Sequence, residues 1–263
     1  MDDFLFMADR DVAKVASAEF RKQGLDVKLG AMVKKATAGE GGVVVDYEDK
    51  NGAQTLEVEK LVVAVGRRPV TRELFADDAG IQLDERGFIV VDGECRTRVK
   101  GVYAIGDCVR GPMLAHKGSE EGVMVADLIA GEVAEMNYDV IPSVLYTNPE
   151  IAWAGKTEAE VKESGRAYKT GQFPFMASGR AKAMEQTCGF VKIIASKDDD
   201  EVLGVHIVGP MAGELISEAV LALEFSASTE DIQRTIHAHP SLAEAVHEAA
   251  LAVDGKALNF PNR

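Results

Sequence analysis

The densest group of potentially reactive side chains lies between residues 235 and 250, in the stretch TIHAHPSLAEAVHEAA. It contains three of the five histidines of the chain, together with a proline and two glutamates. A histidine titrates near neutral pH, so when it is held beside a carboxylate it can act as a general acid or base. The spacing places Glu244 five residues after His239, with Pro240 between them.

Two interpretations of this spacing compete. Pro240 disfavours helical geometry for the residue before it, which places His239 in a loop between two helices. Glu244, on the first turn of the next helix, can then reach back to one ring nitrogen and leave the other as a base. Alternatively, Ser241 and Glu244 form a capping box, in which the glutamate bonds the Ser241 backbone. Both roles need the same carboxylate, and the local sequence favours the cap.

The remaining ligand-type side chains favour neither a metal site nor a local disulfide. An HxH pair with a distant third histidine is a weak metal pattern, so His237 and His247 are expected to be partly buried or surface side chains. Three cysteines occur, and they form no CxxC or CxxxxC motif: Cys95, Cys108 and Cys188. We therefore expect reduced thiols and no metal.

The composition indicates a soluble protein with a hydrophobic core. Of 263 residues, 46% are hydrophobic, and the sequence has no apolar run of about 18 residues, so no membrane span is expected. A net charge of −14 argues against a nucleic-acid partner, which would need a basic face. The start, MDDFLFMADRDVAK, carries acidic residues where a secretory signal would carry basic ones. These features predict a cytoplasmic location.

The first 70 residues predict part of an α/β domain. Helical spacing of apolar residues runs from about Asp9 to Gly24, and a strand follows. The Asn51-Gly52 pair indicates a hairpin. The unbroken apolar run KLVVAVG, residues 60–66, is typical of a strand buried on both faces of a parallel sheet. A doubly wound domain normally opens with a strand and a glycine-rich turn, so this sequence resembles such a domain entered after its first strands.

A second candidate binding site follows the predicted strand GVYAIGD, residues 101–107. Asp107 would lie at the carboxyl end of this strand, where α/β sheets bind ligands, and its carboxylate can accept a hydrogen bond from a sugar hydroxyl. A helix is predicted from near Ala115 to about Ala130, and its amino-terminal end would favour negative charge at the same crevice. The alternative is that Asp107 only stabilises a turn, since Gly-Asp pairs are common in turns.

From residue 140 the pattern changes to an antiparallel sheet with helices. Short strands, a capping box at Thr157 and Glu160, a hairpin with an acidic turn and further helices follow one another. The predicted fold class is therefore α/β. It comprises the remainder of a doubly wound, Rossmann-like region, followed by an α+β domain with an antiparallel sheet.

Several of these segments occur together, and in the same order, in one known family. They are VGRRP, VYAIGDCVRGPMLAHKGSEEG, IPSVLYTNPEIAWAGKTE, FPFMASGRAKAM, GFVKII, VLGVHIVGP and HAHPSLAEA. Over essentially its whole length the chain resembles the class I pyridine nucleotide-disulfide oxidoreductases, and among them the dihydrolipoamide dehydrogenases. Glutathione and mercuric reductases are similar in outline, but HAHP and MLAHK favour the lipoamide group.

The resemblance implies a three-part organisation. Residues 1–69 would be the carboxyl-terminal part of an NAD-binding domain, residues 70–139 the returning segment of an FAD-binding domain, and residues 140–263 a dimerisation domain. Family members also carry an FAD fingerprint, an NAD fingerprint and a CxxxxC disulfide, none of which this sequence contains. The resemblance therefore implies the carboxyl-terminal portion of a flavoprotein that uses FAD and NAD.

The resemblance also implies roles for individual residues. His239 would be the catalytic acid-base and Glu244 its partner, which favours the dyad over the cap. Asp107, preceded by Gly106, would contact the ribityl chain of FAD, and Gly66 would be a backbone neighbour of NAD. The stretch expected against the flavin consists of Met113, Leu114, Ala115 and His116.

The activity implied for the intact polypeptide is oxidation of dihydrolipoamide by NAD⁺ through the disulfide and FAD. The substrate would be the lipoyl group of a dihydrolipoyl acyltransferase, and a homodimer is required because His239 would serve the disulfide of the other subunit. Without a disulfide of its own, this chain alone is expected to be inactive. The alternatives are a non-catalytic dimerisation fragment and a related flavoprotein disulfide reductase. Ser241 stands where threonine is usual in the family, and both residues supply a hydroxyl.

Overall fold

The computed structural model, which describes residues 1–262, divides the chain between two units. One unit consists of Val62–Tyr138, and the other combines Met1–Leu61 with the residues from Asp139 onward. No helix in the described part of the chain is long and apolar enough to cross a membrane.

Helix α1 (Arg10–Lys22) opens the larger unit and confirms the first predicted helix. Asp9 caps it, because its side chain accepts a hydrogen bond from the Asp11 N–H. Arg21 and Lys22 lie in the last turn, where positive charge complements the helix dipole. One face of the helix is buried through Val12, Ala13, Ala16 and Phe20.

A three-stranded antiparallel sheet follows in the order β1-β2-β3. Its strands are β1 (Met32–Gly39), β2 (Gly42–Asp49) and β3 (Gly52–Val58). Asp49 pairs with Gly52 across the β2–β3 turn, so the predicted hairpin at Asn51-Gly52 is confirmed. Gly52 has a φ of +92°, a left-handed conformation that favours glycine.

The smaller unit has one long helix and little strand structure. Helix α2 (Ala115–Ala130) has the predicted bounds and ends at Gly131 with a φ of +91°. The strands predicted for residues 60–66 and 101–107 do not form. A strand needs a neighbouring strand that pairs with its backbone N–H and C=O groups. In the described chain, residues 60–66 have no such neighbour. Residues 101–107 have only an isolated bridge, between Arg96 and Tyr103.

The unpaired run at residues 60–66 is largely exposed. Val62, Val63 and Val65 expose 85%, 73% and 94% of their surfaces. The expectation of burial on both faces of a parallel sheet is therefore wrong for this chain, in which both sheets of the described residues are antiparallel.

The second half of the chain forms a five-stranded antiparallel sheet in the order β4-β5-β8-β7-β6. The strands are β4 (Ser143–Leu145), β5 (Glu150–Gly155), β6 (Tyr168–Pro174), β7 (Phe190–Ser196) and β8 (Val202–Gly209). Every residue of β7 and β8 is buried. The predicted α+β arrangement with an antiparallel sheet is confirmed.

Five helices accompany this sheet. They are α3 (Glu158–Glu163), α4 (Gly179–Ala183), α5 (Ala212–Glu224), α6 (Thr229–Arg234) and α7 (Glu244–Val253). The capping box predicted from Thr157 and Glu160 is present at the start of α3. Helices α5 and α7 pack on one face of the sheet, where Ile207 is buried, and α1 packs on the opposite face, where the next residue, Val208, is buried.

A buried lysine joins α1 to the sheet. Lys192 on β7 is 1% exposed, and its Nζ lies 2.9 Å from Oδ1 of Asp9, 2.7 Å from Oδ2 of Asp11 and 2.5 Å from Oε2 of Glu158. Burial works to lower the pKa of Lys192, but the three carboxylates outweigh it and raise that pKa above its ordinary value. Lys192 is therefore charged at neutral pH and anchors α1 by ion pairing.

Candidate active site

The loop between α6 and α7 presents His239 at the surface. Helix α6 ends at Arg234, α7 begins at Glu244, and the His239–Pro240 peptide bond is cis. The His239 side chain is 79% exposed. The predicted position of His239 in an interhelical loop is confirmed.

Glu244 uses its two carboxylate oxygens on two different partners. Oε1 lies 2.8 Å from Nδ1 of His239, and Oε2 accepts a hydrogen bond of 2.8 Å from the backbone N–H of Ser241. The two competing roles therefore coexist, because each occupies one oxygen.

The predicted capping box forms only in half. The Ser241 hydroxyl is buried and has no hydrogen-bond partner in the described part of the chain. The residue at the N-cap of α7 is Ala243, which offers no side-chain cap. Glu244 thus supports the helix start through the Ser241 backbone alone.

The carboxylate of Glu244 fixes the proton arrangement of the His239 ring. An ionised carboxylate only accepts hydrogen bonds, so Nδ1 carries the proton and Nε2 keeps its lone pair. Partial burial works to raise the pKa of Glu244, but the hydrogen bonds from Ser241 and His239 outweigh it and hold that pKa below its usual value. At neutral pH Glu244 is therefore ionised and stabilises the imidazolium that forms when Nε2 accepts a proton.

The other two histidines of this region have partners of their own. Nε2 of His237 lies 2.5 Å from Oε1 of Glu218 on α5, and Nε2 of His247 lies 3.0 Å from the carbonyl oxygen of Gln233. Among residues 1–262, no group of three or more His, Cys, Asp or Glu side chains could hold a metal ion. The histidines are therefore arranged as side-chain and backbone hydrogen-bond partners rather than as a ligand set.

The second candidate region surrounds Asp107 in the smaller unit. Gly106–Cys108 form a 3₁₀ turn, and Gly106 has a φ of +74°. The Asp107 side chain is 56% exposed, and Oδ2 lies 3.7 Å from Nη1 of Arg67. The same nitrogen donates to the carbonyl oxygen of Met113 over 3.0 Å. Arg67 belongs to the VGRRP segment, but the sequence did not reveal these contacts, because both partners are distant in the chain.

The start of α2 lies in the same unit and has no side-chain cap. Leu114 is its N-cap residue, with extended backbone and no capping hydrogen bond. A helix start leaves backbone N–H groups without helical acceptors, and the helix dipole makes this end positive. The stretch predicted to face the flavin runs along this helix start: Met113, Leu114, Ala115 and His116.

A buried ion pair holds the turn that carries Asp107. Nζ of Lys117 donates to the carbonyl oxygens of Gly106 and Arg110, at 2.9 Å each, and lies 3.2 Å from Oε2 of Glu121. Glu121 in turn accepts 2.7 Å and 2.8 Å bonds from the Gly106 N–H and the Tyr138 hydroxyl. Both side chains of the pair are fully buried. A Lys–Glu pair at i,i+4 ordinarily indicates a solvated helix face, so the sequence did not reveal this role.

Tyr138 and Gly66 also belong to the smaller unit. Burial and the hydrogen bond to Glu121 raise the pKa of Tyr138 above its ordinary value, so its hydroxyl stays protonated and donates. Gly66 has a φ of +124°, and a Cβ there would meet no atom within 4 Å. The role expected for Gly66 beside NAD stays a prediction.

Two sequence profiles of one family match the chain. Residues 1–122 match the pyridine nucleotide-disulphide oxidoreductase profile, and residues 141–250 match the dimerisation domain of the pyridine nucleotide-disulphide oxidoreductases. The chain belongs to the pyridine nucleotide-disulphide oxidoreductase family.

Within that family, the curated proteins that the chain resembles include dihydrolipoyl dehydrogenases. It is 56% identical to the one from Cupriavidus necator over 258 residues, which are 98% of this chain and 54% of that protein. It is 48% identical to the mitochondrial one from Sus scrofa over 96% of this chain and 50% of that protein. The chain spans about half the length of the curated relatives it matches.

The chain is also similar in fold to solved structures. The chain is similar to a crystal structure of LpdA from Mycobacterium tuberculosis, with a TM-score of 0.86 and 30% identity over 92% of this chain and 52% of that one. It is also similar to the HOCl-induced flavoprotein disulfide reductase RclA from Escherichia coli, with a TM-score of 0.85 and 27% identity over 95% and 57% of the two chains.

Proposed function

We propose that the intact protein is a dihydrolipoyl dehydrogenase, and that this chain supplies its acid-base histidine, part of its flavin site and its dimerisation domain. The reaction is oxidation of dihydrolipoamide to lipoamide, with NAD⁺ reduced to NADH. The observation that carries the proposal is the His239–Glu244 pair, with 2.8 Å between Nδ1 and Oε1 and a ring that is 79% exposed.

His239 performs the proton transfer in this proposal. Nε2 takes a proton from a dihydrolipoamide thiol, and the resulting thiolate attacks one sulfur of a redox disulfide while the other sulfur leaves as a thiolate. Glu244 stabilises the imidazolium until the proton is passed on. The three cysteines of this chain are unpaired, so the disulfide must belong to the remainder of the intact protein.

The residues of the smaller unit suit a flavin. FAD, when bound, supplies a two-electron carrier between the dithiol and NAD⁺. The exposed Asp107 carboxylate accepts hydrogen bonds from sugar hydroxyls, and the uncapped start of α2 favours electron-rich groups. Asp107 would hold the ribityl chain after Gly106, and the residues beside the ring system would be Met113, Leu114, Ala115 and His116.

NAD would be bound mainly outside this chain. Gly66 suits a close approach by a ligand, because its left-handed φ and the open space around it leave the backbone accessible. The domains we propose are residues 1–69 for NAD, 70–139 for FAD and 140–263 for dimerisation. In this arrangement the exposed run at residues 60–66 pairs with strands of the remaining half of the protein.

The proposed dimer places His239 beside the disulfide of the partner subunit. Four large apolar side chains of the larger unit support an interface between two copies, because each exposes 60% or more of its surface: Tyr146, Leu221, Phe225 and Ile236. The disulfide would transfer electrons from the lipoyl group of a dihydrolipoyl acyltransferase, which is the protein partner we propose.

The test is the His239→Gln variant of the intact protein. We expect dihydrolipoamide oxidation to fall by roughly 10²- to 10⁴-fold, the usual contribution of a general base. Reduction of an artificial dye by NADH should stay unchanged, because that electron path needs no thiol deprotonation. An unchanged rate of dihydrolipoamide oxidation would rule out the proposed role.

A second function fits the chain when it is expressed alone. It spans about half of its relatives and its cysteines are unpaired, so by itself it would dimerise without catalysing. Purified chain should then be colourless and dimeric by sedimentation. Bound flavin together with dihydrolipoamide oxidation would contradict this second function.

A further inference from the structure

His237 is held by acceptors on both ring nitrogens. Nε2 lies 2.5 Å from Oε1 of Glu218, and Nδ1 lies 2.9 Å from the carbonyl oxygen of Thr235. Neither a carboxylate nor a carbonyl oxygen can donate, so both nitrogens must carry a proton. The ring, whose side chain is 6% exposed, is therefore an imidazolium.

Side chains from α5 and α7 contact this ring, and α6 contacts the second of them. Helix α5 contributes Glu218, and α7 contributes His247, whose ring stacks on that of His237 with centroids 5.0 Å apart and an interplanar angle of 23°. His247 also faces the Gln233 carbonyl oxygen on α6, through Nε2 at 3.0 Å. The ionisable groups that face His237 are thus Glu218, His247 and, at longer range, Glu244.

The positive charge of His237 interacts with Glu244, the partner of His239. The hydrogen bond to Glu218 is the main cause that raises the pKa of His237, and Glu244 contributes further. In return, His237 contributes to lowering the pKa of Glu244, after burial, which raises it, and the hydrogen bonds from Ser241 and His239. Both ring nitrogens of His237 are occupied, so it cannot serve as a proton carrier itself.

We propose that His237, clamped by Glu218, is a positioning residue for His239. It anchors the start of the segment His237–Pro240 to α5 through the hydrogen bond to Glu218, and its positive charge adds to the hydrogen bonds from Ser241 and His239 that favour the carboxylate form of Glu244. The inference rests on the proposed function, because it concerns the same acid-base site.

The experiment compares three variants of the intact flavoprotein: His237→Gln, Glu218→Gln and His239→Gln. The matched control is Glu230→Gln, which removes an equal charge from an exposed pair with Arg234 on α6. For each variant we would measure kcat for dihydrolipoamide oxidation against pH, bound flavin, and dye reduction by NADH.

His237→Gln should lower kcat roughly 10- to 100-fold, the scale expected when a catalytic group is misplaced by about 1 Å. Flavin content and dye reduction should stay unchanged. The acidic limb of the pH profile should move to higher pH, because Glu244 loses a cation that favours its ionised form. Glu218→Gln removes the main cause that raises the pKa of His237, so His237 loses its positive charge and the limb should shift in the same direction, by a smaller amount because a negative charge is lost as well. Glu230→Gln should behave like the parent.

The outcomes separate this inference from the proposed function. If His239→Gln is inactive while His237→Gln and Glu218→Gln both keep the parent kcat and pH profile, the positioning role is overturned and the proposed function stands. If His239→Gln keeps full activity, the proposed function itself fails. Should His237→Gln not fold, a Glu218→Gln variant with normal flavin content and an unshifted profile is enough to overturn the positioning role.

Discussion

Strands β1 and β8 are both eight residues long, yet all eight residues of β1 are exposed and all eight of β8 are buried. β8 lies between β5 and β7, with α5 and α7 on one face and α1 on the other. β1 is an edge strand that pairs only with β2 among the described residues. The difference shows that burial of a strand depends on the elements packed around it as well as on its own sequence.

The largest expected loss of unfolding free energy is in the five-stranded sheet, on substitution of Lys192 on β7. Lys192→Met leaves the buried Asp9 carboxylate without its cation, and breaking a buried pair in this way costs about 3–5 kcal/mol of unfolding free energy. Urea unfolding followed by circular dichroism measures the change. The control is Arg10→Met, which breaks an exposed pair with Asp3 and should have no measurable effect. Equal losses in both variants would contradict the special role of Lys192.

Truncation of uncharged side chains should show the same difference in burial between β8 and β1. Ile207→Ala on β8 removes a fully buried side chain and should cost about 2–5 kcal/mol. Val33→Ala on β1, where the side chain is 62% exposed, should change stability by less than about 0.5 kcal/mol. Thermal unfolding of the two variants under the same conditions measures the two losses of stability. A comparable loss from Val33→Ala would show that β1 is buried in solution.

Acid should weaken the five-stranded sheet through His206 on β8. Burial lowers the pKa of His206 below its ordinary value of 6.5, although Asp9 works in the opposite direction. The unfolded chain therefore binds a proton that the folded state rejects, so the stability from neutral His206 is complete above pH 6.5 and is lost as pH falls below it.

The measurement for His206 is unfolding free energy between about pH 7 and pH 5. The parent should lose stability over this interval, and His206→Gln, which does not titrate, should lose less. Parallel curves for the two proteins would assign the acid sensitivity to other groups.

The smallest expected effect is local to the three-stranded sheet. Gly52→Ala forces a side chain into a φ of +92° and should cost about 1 kcal/mol. Amide hydrogen exchange should become faster in β2 and β3, while β7 and β8 keep their protection. Faster exchange in β7 and β8 as well would show that the two sheets unfold together.

Local chemistry explains what could be predicted from the sequence. The capping box at Thr157 and Glu160, the apolar spacing of α1 and the turn at Asn51-Gly52 each act within a few residues of chain. The His239–Glu244 pair belongs to the same category, because its members are five residues apart. The competition between cap and dyad could not be decided from the sequence, since it depended on which carboxylate oxygen faces which partner.

The predictions that failed, and the residues that no pattern revealed, depend on contacts between distant parts of the chain. The apolar run at residues 60–66 has the composition of a buried strand, but composition supplies no neighbouring strand. Glu218 lies 19 residues from His237, and Glu121 lies 15 residues from the Gly106 N–H that it accepts from. From the sequence alone, Glu218 and Glu121 resemble residues on solvated helix faces.

By itself, the sequence determined the helices, the hairpin turn, the pairing of His239 with Glu244 and the family, because these depend on short-range spacing and on characteristic segments. Only the tertiary structure decided which strands are buried, that Lys117 and Lys192 are buried as ion pairs, and that His237 is clamped by Glu218. The physical reason is that hydrogen bonds and burial are satisfied in three dimensions, where the partner of a side chain is set by packing between elements far apart in the chain.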